Sequence, residues 1–287
     1  MIKRLGSCIR EYKLPSLLSP LFVSLEVLME VLIPFLMGKL IDNGIDKADT
    51  AYVIKVGVLL VILCMFSLWF GVLAGNYASK ASAGFAKNMR HDMYHNVQNF
   101  SFSNIDKFSA SSLVTRLTTD VMHLQNAYQM IIRIAVRSPI MTIMSLVMAF
   151  RINARLASVF LCVIPFLGAG LFLITKKAHP VFKRMFKKYD RLNESIEENV
   201  RGMRVVKGFS REEYEKKKFG AAADSICEDF TRAERIVAVN TPLMNFCMYF
   251  NMAVVLLVGS YMAINGIGGV KIGQISALLT YGMSILM

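Results

Sequence analysis

Glu26 and Glu30 stand four residues apart inside an apolar run covering about 17–41. On a helix that spacing puts both carboxylates on one face, and charge is costly in hydrocarbon, so the pair must face protein or water. Two roles stay open: lining a cavity that receives cationic substrates, or pairing with basic or polar groups of a neighbouring helix. His91 and His95 share the same spacing but bring no obvious further ligands, and they read as a solvated helix face rather than a metal site. The one Gly-Lys pair, Gly38-Lys39, is followed by Leu40 and preceded five residues earlier by Ile33, so no phosphate-cradling glycine loop is present. Neither an HExxH nor a GxSxG pattern occurs. Cys8, Cys64, Cys162, Cys227 and Cys247 are scattered without a CxxC, which indicates neither a disulfide framework nor a zinc site. No catalytic, cofactor-binding or metal site is expected in this stretch.

Methionine is abundant, at 19 residues. Met141, Met144 and Met148 recur at steps of three and four, and Met244, Met248 and Met252 at steps of four. Flexible thioethers suit a surface that accepts many shapes, although ordinary helix packing accounts for the same stripes and is the preferred reading. Met141, Met144, Met148, Met248 and Met252 are therefore carried beside Glu26 and Glu30 as candidate cavity residues. Arg133 and Arg137 fall at one end of a third apolar run, where snorkelling toward the interface is the expected behaviour.

The elements that must hold these residues are membrane helices. The chain has 287 residues, 55% of them hydrophobic and 18% charged, with a mean hydropathy of +0.47. That is more apolar surface than one soluble core can hide. Apolar runs at about 17–41, 52–75, 134–150, 156–175, 236–264 and from 274 onward predict six helical spans, the last about fourteen residues long. The shortness of that last span gives the expectation of a fragment. The basic start MIKRLGSCIREYK is followed by an apolar run too long for a signal peptide, with no small-residue cleavage site. Pro20, Pro34, Pro139, Pro165 and Pro242 sit within or at the ends of apolar runs and read as tolerated kinks.

The net charge of +13 is unevenly spread. Of 33 Lys and Arg residues, four precede residue 15, seven lie in 76–137 and sixteen in 176–235. The remaining six are Lys39, Lys47, Lys55, Arg151, Arg155 and Lys271. This alternation places the N-terminus and the two long connections in the cytoplasm of a multi-pass plasma-membrane protein, and it argues against nucleic acid as a partner.

Those long connections are themselves helical. Tyr77, Ala81, Phe85, Met89, Met93, Val97 and Phe100 recur at helical steps, and so do Phe182, Phe186, Tyr189, Leu192, Ile196, Val200 and Met203. Twenty-five such residues extend a helix by roughly 40 Å, so each connection is a long hairpin. The segment SFSNIDKFSASS (101–112) marks the first turn, and Gly202 and Gly208 around MRVVK mark the second. Short segments at these tips are well placed to touch a partner.

Five stretches carry a family resemblance over the whole chain: IPFLMGKLIDNGI (33–45), IDKFSASSLVTRLTTDV (105–121), RSPI (137–140), ENVRGMRVVKGFSREEYEKKKF (198–219) and NGIGGVKIGQISALLTYGMSIL (265–286). They resemble the transmembrane domain of ABC exporters, particularly the multidrug-type half-transporters of Gram-positive bacteria. The resemblance implies an all-α membrane fold of six long transmembrane helices with cytoplasmic extensions, the last helix incomplete. It implies that residues 1–287 are one transmembrane domain lacking its nucleotide-binding domain. It also implies two coupling regions, at Ser111, Ser112, Leu113 and Arg116 and at Gly202, Met203, Arg204, Val205, Val206 and Gly208. The implied partners are a nucleotide-binding domain carrying ATP and Mg, a second half-transporter identical or related to this one, and membrane lipid. The implied function is the membrane-spanning part of an ATP-driven exporter of lipophilic or multidrug-type substrates. Apart from the resemblance, a secondary transporter or a non-transporting membrane scaffold or sensor also fits six spans and basic loops.

Overall fold

The computed structural model describes residues 2–101 and 110–286, with the side chains of 2–4 and 110 left aside. Every element among them is helical. The order is α1 (Ile2–Ser7), α2 (Lys13–Leu40), α3 (Thr50–Gln98), α4 (Ala110–Thr115), α5 (Val121–Ile152), α6 (Ala154–Arg201), α7 (Met203–Gly208), α8 (Glu212–Val237), α9 (Asn240–Ile264) and α10 (Ile272–Leu286). Five stretches are long and apolar enough to cross a membrane: Arg10–Ile45, Thr50–Gln98, Ser111–Ile152, Ala154–Arg201 and Glu212–Ile264. The sixth apolar helix, α10, has 15 residues, or roughly 22 Å at 1.5 Å per residue.

The helix lengths follow the two kinds of sequence they contain. An apolar run of about twenty residues spans the hydrocarbon, and the amphipathic stripe beyond it keeps the same helix going through charged sequence. Thus α3 has 49 residues and α6 has 48. Each is over 70 Å long at about 1.5 Å per residue, against a hydrocarbon core of roughly 30 Å.

The short connections are closed by local chemistry. A π-helical turn at Ile41–Ile45 ends α2, and Asp49 caps α3 by accepting from the Tyr52 amide at 3.0 Å. Asn153 alone separates α5 from α6, its Oδ1 accepting from the amides of Arg155 (3.1 Å) and Leu156 (3.2 Å). Gly266, Gly268 and Gly269 have φ of 65°, 71° and 63°, a left-handed backbone that permits the sharp turn between α9 and α10. At the far end α7 lies between α6 and α8, where Gly202 and Gly208 predicted a turn. The first predicted tip falls partly on residues 102–109, outside the described residues; α4 and a π-helical turn at Arg116–Asp120 follow them.

The chain divides into two units, residues 1–158 with 255–285, and residues 159–254 with 286–287. In the first, α2 packs on α3 and α5. Val23, Val27 and Val31 of α2 are fully buried, as are Ala74, Ala78 and Ala81 of α3. Small residues let two backbones approach, and Ser19 Oγ donates to the Ala74 carbonyl at 3.1 Å. The N-terminal segment is tied to the charged half of α3. Arg10 grips Asp92 through two contacts of 2.9 and 3.0 Å, and Asn88 Nδ2 donates to the Cys8 carbonyl at 3.0 Å. Cys8 is buried with Phe85, Ala86, Met89 and Val121. Burial pushes the Cys8 thiol up from its usual pKa, and the Asp92 carboxylate pushes the same way while Arg10 opposes both. Cys8 should therefore alkylate with maleimide at pH 7 more slowly than exposed Cys227, and Asp92→Asn should narrow the gap. Equal rates by mass spectrometry would refute the buried placement.

The second unit is an antiparallel hairpin. Val163, Leu167, Cys247 and Leu286 form its apolar cluster, with Leu243, Met244 and Met248 packed against it. Farther along, Lys188 Nζ lies 2.6 Å from Asp229 Oδ2 and donates to Ser225 Oγ at 2.8 Å, and Asn199 donates to Glu215 at 2.8 Å. The periodic stripe of α6 stays largely uncovered: Phe186, Tyr189, Val200 and Met203 are exposed.

Candidate functional site

The strongest constellation in the first unit is an ion triad. Arg137 Nη1 donates to Glu26 Oε1 at 2.6 Å, and Nη2 donates to both oxygens of Glu30 at 2.8 and 2.7 Å. The sequence expectation of a snorkelling Arg137 is thereby corrected. The residue sits inside the apolar part of α5, level with two carboxylates of α2, where pairing satisfies its donors without a reach to water. The carboxylates take the pairing role that the sequence left open. The cavity role is not thereby removed, because Glu26 Oε2 has no hydrogen-bond partner among the described residues. A cleft of about 750 Å³ opens beside it, lined by Glu26, Glu30, Cys64, Gly71 and Arg133. Gly71 makes room for the carboxylate, since a Cβ there would lie 3.1 Å from Glu26 Oε1.

A second constellation was not anticipated. Asp42 Oδ1 accepts from the Gly273 amide at 2.7 Å, and the Tyr281 hydroxyl donates to the Val31 carbonyl at 2.5 Å, so α10 is bonded both to α2 and to the turn that ends it. Gly38 and Gly273 meet backbone to backbone. A Cβ at Gly38 would stand 2.6 Å from the Gly273 carbonyl oxygen. Asp42 and Gly273 are 231 residues apart in sequence.

The methionines divide between the units. Met141, Met144 and Met148 are half-buried on α5 in the first, and Met248 and Met252 are half-buried on α9 in the second. Met248, with its neighbour Met244, packs against the cluster of Val163, Leu167 and Cys247. The tip residues lie at the charged ends of the helices. Ser111 and Arg116 are exposed, and Ser112 and Leu113 are half-buried. Met203, Arg204, Val205 and Gly208 are exposed on α7, while Gly202 and Val206 are half-buried. A cleft of about 350 Å³ lies against α7, with Ile196, Val200, Met203, Val206 and Phe219 in its wall. His91 and His95 are exposed, their rings stacked at 6.4 Å.

Long helices that outrun the bilayer and end in short cross-pieces agree with what residues 16–287 match as a sequence, the ABC transporter transmembrane region. The chain belongs to that family. As an ABC transporter membrane domain, it is 29% identical over 279 residues to the ABC transporter ATP-binding protein YfiB of Bacillus subtilis, covering 97% of this chain and 48% of that one. It is 27% identical over 262 residues to the ABC transporter ATP-binding protein MT1311 of Mycobacterium tuberculosis, covering 91% and 45%. The ATP-dependent lipid A-core flippase of Pseudomonas fluorescens is 26% identical over 223 residues, covering 77% and 36%. The chain therefore spans about half the length, or less, of these curated relatives. Family membership decides against the secondary-transporter reading.

Proposed function

We propose that this ABC transporter membrane domain forms the translocation pathway of an ATP-driven exporter for lipophilic, multidrug-type substrates. It works beside a second half-transporter, identical or related. ATP and Mg are bound by a nucleotide-binding domain that docks on the helical tips, with the N-terminus and both tips in the cytoplasm of a plasma membrane. The observation that carries this reading is α7: a six-residue helix at the end of a 48-residue one, presenting Met203 and Val205 with Phe209 just beyond, all exposed. Apolar side chains far from any apolar run suit a protein partner. Relatives named as ATP-binding proteins and as a lipid A-core flippase support ATP as the energy source and an amphiphile as cargo.

The test uses the full-length protein, reconstituted with its partner half. Leu113→Asp and Arg204→Glu should each insert normally yet lower substrate-stimulated ATPase activity and transport together by about tenfold, a loss of roughly 1.4 kcal/mol in coupling. Wild-type ATPase stimulation and transport in both variants would overturn the coupling assignment. Labelling of a cysteine at position 205 from outside intact cells would overturn the orientation.

A further inference from the structure

The hairpin of the second unit carries a cleft that neither the ion triad nor the tips account for. It has a volume of about 720 Å³ and lies between α6 on one side and α8 with Val239 just beyond it on the other. One end of it is charged: Lys177 comes from α6, and Arg232, Arg235 and Glu228 come from α8. The other end is apolar, with Leu173 and Ile174 on α6 facing Ile236 and Val239 on the opposite wall.

The order of these residues along two antiparallel helices fixes the direction of the gradient. On α6 the chain leaves its apolar run at about 175, so Leu173 and Ile174 precede Lys177 by roughly one turn. On α8 the chain enters the next apolar run at about 236, so Arg232 and Arg235 precede Ile236 and Val239. Both walls thus change from apolar to basic at the same boundary, the level at which hydrocarbon gives way to headgroups. Three basic side chains against one carboxylate leave two positive charges in surplus. Lys177 and Arg235 form no ion pair among the described residues, and the Asp229 carboxylate, which also feels Arg232, is held by Lys188 at 2.6 Å. All three basic groups are exposed in the cleft.

We propose that this cleft is a binding site for one anionic phospholipid. Its phosphate sits among Lys177, Arg232 and Arg235, and an acyl chain runs along Leu173, Ile174, Ile236 and Val239. A soluble anion would use only the basic half, and a neutral lipid only the apolar half. The site asks for both in one molecule. Glu228 lies at the charged extremity, away from the apolar walls, and disfavours a second phosphate. The proposal depends on membrane insertion and not on coupling to an ATPase.

Native mass spectrometry of the full-length protein with dioleoylphosphatidylglycerol or dioleoylphosphatidylcholine tests it. Wild type should retain one phosphatidylglycerol preferentially, and Lys177→Gln/Arg235→Gln should weaken that retention by about tenfold or more, as expected for two interfacial charges. Phosphatidylcholine retention should not change. Arg235→Lys, which keeps the charge, should retain the lipid, and Lys187→Gln, ten residues along α6 from Lys177, should behave as wild type. Excess inorganic phosphate should not displace the lipid. Equal retention of the two lipids, undiminished phosphatidylglycerol in the double variant, or displacement by phosphate alone would each overturn the site. Should the double variant unfold, the comparison of Arg235→Lys with Arg235→Gln decides in its place.

Discussion

Arg137→Met is expected to destabilise the folded domain by about 3–5 kcal/mol, because it strands two carboxylates at a level where neither reaches water cheaply. The geometry makes the effect asymmetric. One guanidinium serves both Glu26 and Glu30, so the wild-type triad already carries one negative charge in excess, and losing the cation doubles that excess and leaves acid repelling acid. Glu30→Gln should cost about 1 kcal/mol or less, since Arg137 keeps its bond to Glu26 and an amide oxygen can still accept. The combined variant Glu26→Gln/Glu30→Gln/Arg137→Met removes every charge at once and should recover most of the loss. Thermal unfolding in detergent, read by the loss of helical signal, ranks the three variants. A triple variant as unstable as Arg137→Met would show that size and shape, rather than charge, govern this place.

Gly273→Val is expected to separate α10 from α2. A side chain at Gly273 meets the Gly38 carbonyl oxygen and, at 2.7 Å, the Asp42 carboxylate oxygen that now accepts from the Gly273 amide. The Gly38 carbonyl is backbone and cannot rotate aside as a side chain could, so relief requires a helix to move. Overpacking of this kind costs about 1–3 kcal/mol or more, and the buried Asp42 oxygen loses its donor as well. Gly273→Ala should show a smaller loss in the same direction. Disulfide trapping between cysteines placed at Phe35 and Ala277, which line a small cleft with Gly38 and Asp42, should fall in proportion. Undiminished trapping in Gly273→Val would mean that the two backbones are not in contact.

The architecture was legible because it rests on patterns local to each stretch. Apolar runs of about twenty residues, the helical stripe Tyr77 to Phe100 and the glycines flanking MRVVK each state their structure in consecutive residues. They anticipated α3, α6 and α7 closely. Arg137 was misread for the opposite reason. Its neighbours in sequence describe the end of an apolar run, and only the packing of α5 against α2 brings Glu26 and Glu30 within reach. The link between Asp42 and Gly273 is harder still, since neither residue type nor any spacing marks two positions so far apart. The stripe from Phe182 to Met203 was legible as helix, but its periodicity carried no information on what covers it, and in the single chain much of it stays exposed.

The unbroken course of α3 also bears on how displacement spreads. Its neighbours α2 and α5 both contain proline within the helix, whereas α3 runs from Thr50 to Gln98 without one. A proline leaves a helix with a joint, while an intact ladder of hydrogen bonds bends little. As a lever of roughly 74 Å, α3 would carry a tilt of about five degrees at one end to the other as a shift of about 6 Å. Its two extremities are thereby obliged to move in concert, with compliance confined to the helices around it.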